Sequence, residues 1–356
     1  GFSGYRESGF GREGGREGMW EYLKPLQVST DAPPPVSDSR APLAPGAAPD
    51  GASDGEAIDP DDEAGEQSGT HGAMLPPIDR TAKLFIGGKQ ARPDSGYSRI
   101  VRDARGRSIG EVGDGNRKDI RNAVEAAHAG VAWTKMSGHQ RAQVLFYIGE
   151  NLAARRDEFT ARIRSLTGTL RDGAVAEVDA SISRLFTYAA WADKHDGAVH
   201  DVPLRGVALA MHEPIGVVGV TCPDPYPLLG FVSLVAPLLA CGNRVVAVPS
   251  ECYPLAATDF YSVLETSDVP AGAVNLVTGA RDVLARTLAE HDDVDAMWYV
   301  GSHAGATAVE QASAANLKRT WTEWTPREWM DPRCGEGREF LRRAVQVKNI
   351  WIPYGE

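Results

Sequence analysis

The chain has little of what would reveal a function at a glance. Its four cysteines, Cys222, Cys241, Cys252 and Cys334, form no CxxC pair, and its histidines fall into no cluster at metal-ligand spacing. That excludes a zinc ribbon, a dithiol redox centre and a disulfide framework, and we expect no metal site. Scattered thiols suit a reducing, cytoplasmic setting. Basic residues are nearly absent from residues 30–79, where eleven acids face one base, Arg40, so −10 of the formal −11 sits in that stretch. The remainder is close to neutral, which leaves no basic face for nucleic acid. Only residues 225–242 approach the length of a membrane span without a charge. Pro225, Pro227, Pro237 and Ser233 fall inside that run and strand-like segments flank it, so we read it as a buried element and expect no membrane association. No secretory signal is visible, and the start at Gly1 leads us to expect a piece of a longer polypeptide.

What is present is organised around residues 213–251. Residues 215–220 are rich in β-branched side chains, as a buried strand is. Pro223, Pro225 and Pro227 forbid a helix until the chain has turned. Residues 228–240 are almost wholly apolar and long enough for a buried helix. Gly242 stops that helix in the left-handed conformation. Residues 245–248 form a second strand, closed by Pro249. Strand, crossover helix and parallel strand make a right-handed βαβ unit, the nucleus of a doubly wound sheet.

Taken in order, residues 1–24 are rich in glycine. Gly9, Gly11 and Gly14 satisfy GxGxxG, but no strand precedes them, so we read a loop and a short helix rather than a dinucleotide fingerprint. Residues 29–80 are dominated by Pro, Ala, Gly, Ser and Asp and cannot offset their ordering entropy; we expect a disordered acidic linker. Order resumes with a strand and tight turn at 84–89, then short strands at 98–102 and 108–112. Helices are predicted over 118–133, 139–166 and 175–195, each with an apolar face. Residues 197–212 read as a β-hairpin. After the central unit, helices at 254–265, 283–290 and 304–315 alternate with strands at 273–277, 294–300 and 318–324. This predicts an α/β fold, a parallel sheet of about five strands with helices on both faces. Residues 325–337 have no period; a short helix at 338–343 and a strand at 345–354 close the chain. Glu336-Gly337-Arg338-Glu339 echoes Glu13-Gly14-Gly15-Arg16-Glu17 near the start, so the chain holds two tails of one kind.

From Leu84 to Glu323 these residues resemble the aldehyde dehydrogenase superfamily. The resemblance is carried by Leu84-Phe-Ile-Gly-Gly, Ala123-Val-Glu-Ala-Ala, Glu213-Pro-Ile-Gly-Val-Val-Gly-Val, Pro249-Ser-Glu251, Val274-Asn-Leu-Val-Thr-Gly279, Gly301-Ser302 and Asn316-Leu-Lys-Arg, in family order. Ser8-Gly9-Phe-Gly11-Arg12-Glu13 is similar to the family's carboxyl end. The arrangement resembles the two-module aldehyde dehydrogenases called family 16. Residues 1–28 would be the tail of an upstream module, 29–80 a linker, 81–324 a Rossmann-like nucleotide-binding-type domain, and 325–356 a tail helix and oligomerisation strand.

The resemblance implies NAD or NADP as cofactor of the full-length protein, with Glu251 on the ribose, Gly301 and Ser302 at the pyrophosphate helix, and Glu323 in the general-base position. It also exposes departures. The oxyanion amide falls on Pro225, which has no donor, and the ribose lysine falls on Val248. The Gly-rich turn after Gly279 is Ala280-Arg281-Asp282, and the Gly-Gly after the glutamate is Thr325-Pro326. No catalytic subdomain with a nucleophilic cysteine follows Glu323, and the surroundings of Cys334 lack its motif. We therefore expect Glu323 to be vestigial or paired with an arginine, no cofactor bound by this chain and no turnover from it alone. Its role would be assembly, with an upstream module of the same polypeptide or a second subunit as partner, in a homodimer. A nucleotide-binding regulatory module and a stand-alone interaction protein are the alternatives.

Overall fold

The computed structural model describes residues 80–354 apart from Leu204, together with Phe2–Ser3 and Arg12–Glu13. The expected upstream tail and linker thus lie almost wholly outside the described residues. What is described of the tail is a pair of antiparallel strands, β1 (Phe2–Ser3) and β2 (Arg12–Glu13), with Phe2 opposite Glu13. Two residues of the GxGxxG stretch are therefore paired as a strand rather than lying in a loop.

The elements follow in order. Strands β3 (Leu84–Ile86) and β4 (Lys89–Ala91) flank a turn in which Gly87 and Gly88 both take positive φ. Strands β5 (Ser98–Arg102) and β6 (Ser108–Gly113) make a separate ribbon. Helices α1 (Arg117–Ala129), α2 (Val131–Lys135), α3 (Gly138–Ala154), α4 (Arg156–Thr167) and α5 (Arg171–Trp191) come next. Then come β7 (Gly197–Asp201), β8 (Gly206–Pro214), β9 (Val217–Thr221), α6 (Pro227–Ala240) and β10 (Arg244–Val248). The next group is α7 (Leu255–Asp259), α8 (Tyr261–Glu265), β11 (Val274–Leu276), α9 (Arg281–Glu290) and β12 (Ala296–Val300). The described part ends with α10 (His303–Ser313), β13 (Arg319–Glu323), α11 (Pro332–Gly335), α12 (Arg338–Arg343) and β14 (Val345–Pro353).

The main sheet has the order β13-β12-β9-β10-β11-β3-β4. The first five strands are parallel, as expected, and the β3–β4 hairpin adds two antiparallel strands at one edge. Strand order reverses between β9 and β12, which places a crevice at their carboxyl ends. Period-two alternation divides the buried strands between two cores. Val218, Val220, Val245 and Trp298 pack with α3, α5 and α6, whereas Val217, Val246, Val248, Met297 and Tyr299 pack with α1, α9 and α10.

Helix α6 is buried at every position, which is why it reads as apolar all round. Among the described residues no helix is long and apolar enough to cross a membrane. Three predicted helices are each broken in two. The first breaks at Gly130, where a side chain would meet the Gly272 backbone at 2.9 Å. The others break at Arg155 and Phe260, whose bends turn Phe159 and Tyr261 into the core.

A second, three-stranded sheet has the order β14-β8-β7, all antiparallel, and contains the expected hairpin. Asn243 ties it to the main sheet. Gly242 takes φ +85° to end α6, and the fully buried Asn243 follows. The Asn243 Oδ1 accepts from Ile215 N (2.7 Å) and Gly216 N (3.1 Å), while Nδ2 donates to Leu238 O (3.1 Å) and Ala344 O (2.7 Å).

Candidate functional site

The residues singled out from sequence all lie at the carboxyl ends of the parallel strands. Glu251 follows β10, Gly301 and Ser302 follow β12, and Glu323 ends β13. Glu323 and Gly301 are brought together directly: Gly301 N donates to Glu323 O at 3.0 Å.

The Glu323 side chain is 21% exposed, and one of its carboxylate oxygens is engaged within the chain. Its Oε1 accepts from Trp321 Nε1 at 2.8 Å and from Arg327 Nη2 at 2.9 Å. Arg327 in turn lies against Trp321, Trp329 and Phe340, 5.3–5.8 Å from their ring centroids. It also pairs with Glu339 at 3.5 Å and donates to Cys334 O at 2.7 Å. The segment after β13, which shows no period, is therefore folded back onto the strand end. Trp329 is its buried anchor, and its carbonyl accepts from the buried Arg184. A guanidinium and an indole N–H on one carboxylate oxygen favour its charged, hydrogen-bond-accepting form.

At the crevice end of α10, Ser302 caps the helix by accepting from Gly305 N at 3.0 Å. Ser302 N donates to the Tyr299 hydroxyl at 3.1 Å, and that hydroxyl donates to Asp282 Oδ1 at 2.6 Å. Burial and the Asp282 hydrogen bond both push the Tyr299 phenol up. The Glu251 carboxylate accepts from Arg281 N at 2.9 Å at the start of α9. The Arg281 guanidinium pairs with Asp224 Oδ2 at 2.5 Å. Asp224 also accepts from Ser250 Oγ (2.7 Å) and Cys252 N (3.1 Å). Burial opposes the charge on Asp224, but Arg281 outweighs it and holds the carboxyl below the ordinary aspartate range. Sequence reading noted that Ala280-Arg281-Asp282 replaces a glycine turn; it missed that Tyr299 completes the cluster.

The departures noted from sequence have plain surroundings. Val248 is fully buried among apolar side chains, and Pro225 is exposed. Burial pushes the thiols of Cys222 and Cys241 up to about 12, so neither is a thiolate at neutral pH. Cys334 is exposed in α11. Among the described residues no group of three or more His, Cys, Asp or Glu is placed to hold a metal. A groove of about 470 Å³ lined by Met136, Gln140, Val144, Phe146 and Tyr147 lies along α3, not at the strand ends.

Residues 91–325 match the family model described as "Aldehyde dehydrogenase family". The chain is 33% identical over 264 residues to phenylacetaldehyde dehydrogenase of Pseudomonas fluorescens, covering 70% of this chain and 52% of that protein. It is 32% identical over 250 residues to retinal dehydrogenase 2 of the mouse, covering 68% and 48%. Its fold superposes on a betaine aldehyde dehydrogenase from Staphylococcus aureus, solved in complex with NAD+, with a TM-score of 0.66 at 24% identity, covering 68% of this chain and 50% of that one. The chain thus spans about half the length of the relatives that it matches. The matched span coincides with the strands, crossover helices and strand-end residues described above, and the chain belongs to the aldehyde dehydrogenase family.

Proposed function

We propose that this chain is a non-catalytic assembly module of an NAD(P)-dependent, cytoplasmic aldehyde dehydrogenase. The whole protein would oxidise an aldehyde to a carboxylate on an upstream module, whose tail is residues 1–28 and whose tether is residues 29–80. The observation that carries the assembly role is one face of the β14-β8-β7 sheet. Leu209 sits opposite both Ile350 and Val199, and Val207 opposite Ile352. Together with Met211 they form an apolar stripe of alternate residues, with Val199 at 69%, Ile352 at 45% and Met211 at 43% exposure. On the other face Ala208, Ala210 and Val347 are buried, while Trp351, opposite Ala208 near the end of β14, is 47% exposed. An apolar stripe of this kind, bordered on the same face by the exposed Lys348–Glu213 ion pair, is suited to a matching sheet from an upstream module or a second subunit. Glu323 supports the non-catalytic reading, because it is held by Arg327 and Trp321.

The test is the mass in solution of the chain and of a Met211→Glu/Ile352→Glu variant. Deleting residues 345–356 would also remove buried Val345 and Val347, so exposed substitutions are the cleaner probe. The 38.2 kDa chain should form a species of about twice its mass, and the variant a monomer. Light scattering that gives one mass for both proteins would count against the proposal.

A further inference from the structure

In sheets of this kind a dinucleotide sits at the strand-order reversal, with its pyrophosphate on the N-terminus of the following helix. In this chain that place lies between β9 and β12, at the start of α10. We infer that the crevice has no room for NAD or NADP because Tyr299, Asp282 and Arg281 fill the places where the phosphates and ribose would be held. This goes beyond the assembly role and does not depend on it.

Three contacts carry the inference. First, a Cβ built on Gly301 would lie 2.4 Å from the Tyr299 hydroxyl, and one on Gly305 only 1.8 Å from it. The space that the lack of a side chain leaves at both glycines is taken by a phenol oxygen. Second, that oxygen takes the N–H of the cap residue Ser302, and Ser302 Oγ takes the N–H of Gly305, so two of the first four N–H donors at the start of α10 are already used. Third, the Asp282 carboxylate hydrogen-bonds the same hydroxyl and lies 2.9 Å from where a Gly305 Cβ would be. It is a resident anion at the positive end of a helix, and it repels a second anion there.

On the ribose side Glu251 is held by Arg281 N. The Arg281 side chain, 13% exposed, reaches Asp224 in the loop after β9. The loops after β9, β10, β11 and β12 are thus joined by the chain's own side chains.

The experiment compares the full chain with an Arg281→Gly/Asp282→Gly/Tyr299→Phe variant. Each is titrated calorimetrically with NAD+ and with NADP+, and hydrogen exchange is followed in the peptide spanning residues 299–306. The parent chain should show neither heat nor protection at millimolar dinucleotide. The reopened variant should gain protection at 299–306 and bind about tenfold more tightly or better. Binding by the parent chain that Ser302→Ala or Glu251→Gln weakens would overturn the inference. A folded variant that still binds nothing would overturn the assignment of closure to these three side chains. If the triple variant does not fold, Tyr299→Phe/Asp282→Asn is read by the same two measurements. The assembly proposal is read by mass instead, so the two can fail separately.

Discussion

Replacing Arg327 by methionine tests whether Glu323 is a working base or part of the architecture. The Arg327 side chain is 14% exposed and that of Glu323 is 21% exposed. A charge-assisted hydrogen bond of this kind contributes about 1.5–3 kcal/mol. The guanidinium also lies near three aromatic rings, each contact contributing roughly 0.5–1 kcal/mol when partly exposed. Methionine recovers some of the packing but leaves Glu323 without its cation, and water can reach that carboxylate only in part. The net loss should be about 2–3 kcal/mol. In a domain of this size that lowers Tm by roughly 5–10 °C. Glu323→Gln keeps an acceptor for Trp321 and should lose only about 1 kcal/mol, with a coupling energy between the two sites of about 1 kcal/mol or more. Urea unfolding followed by tryptophan fluorescence is the assay, since Trp321 and Trp329 border the pair. If Arg327→Met unfolds within about 0.5 kcal/mol of the parent, the pair is not structural and the reasoning about Glu323 fails.

One half-buried and two buried groups give pH predictions of definite sign. His195, stacked on His212 at 4.2 Å between ring centroids, is held down to about 4 from 6.5 by burial first and then by His212, Arg338 and Arg342. The unfolded chain therefore takes up a proton that the fold refuses, and stability should fall as pH drops from 6.5 towards 4; His195→Gln should flatten that slope in Tm against pH. Glu177, 3% exposed, accepts from Leu228 N and Leu229 N, yet burial pushes it up to about 7 from 4.5. Here the fold holds the proton more tightly, so stability should fall as pH rises from 4.5 to 7, and Glu177→Gln should gain on the parent over that range. Lys318 donates to His291 O (2.6 Å) and Leu288 O (3.1 Å) at the end of α9, and burial lowers it to about 8 from 10.5. Stability should rise between pH 8 and 10.5, where the fold has released the proton that the unfolded chain still holds, an effect that Lys318→Met should abolish in denaturant titrations.

The parallel sheet was legible because its strands are buried on both faces and therefore read as β-branched runs, as at residues 215–220 and 245–248. The end of α6 was legible because glycine is the residue that takes the positive φ seen at Gly242. The helix breaks at Gly130, Arg155 and Phe260 were not. Each depends on what the following turn packs against, and periodicity carries no such information. The strand-end residues were placed at the right edge of the sheet, since motif order fixes which loop each one occupies. Their state was hidden, because it depends on partners elsewhere in the chain. Tyr299 meets Asp282 across 17 positions, and Asp224 meets Arg281 across a sheet crossover. An arginine four residues after Glu323 was a local clue to the pair that forms.

Asn243 has one more consequence. A single side chain, fully buried, holds the two residues between β8 and β9, the end of α6 and the residue just before β14 with four hydrogen bonds. The outer sheet is consequently no hinged flap. Its direction is set at its root, from within the main domain, so a partner docking on the outer face would meet it at a preset angle.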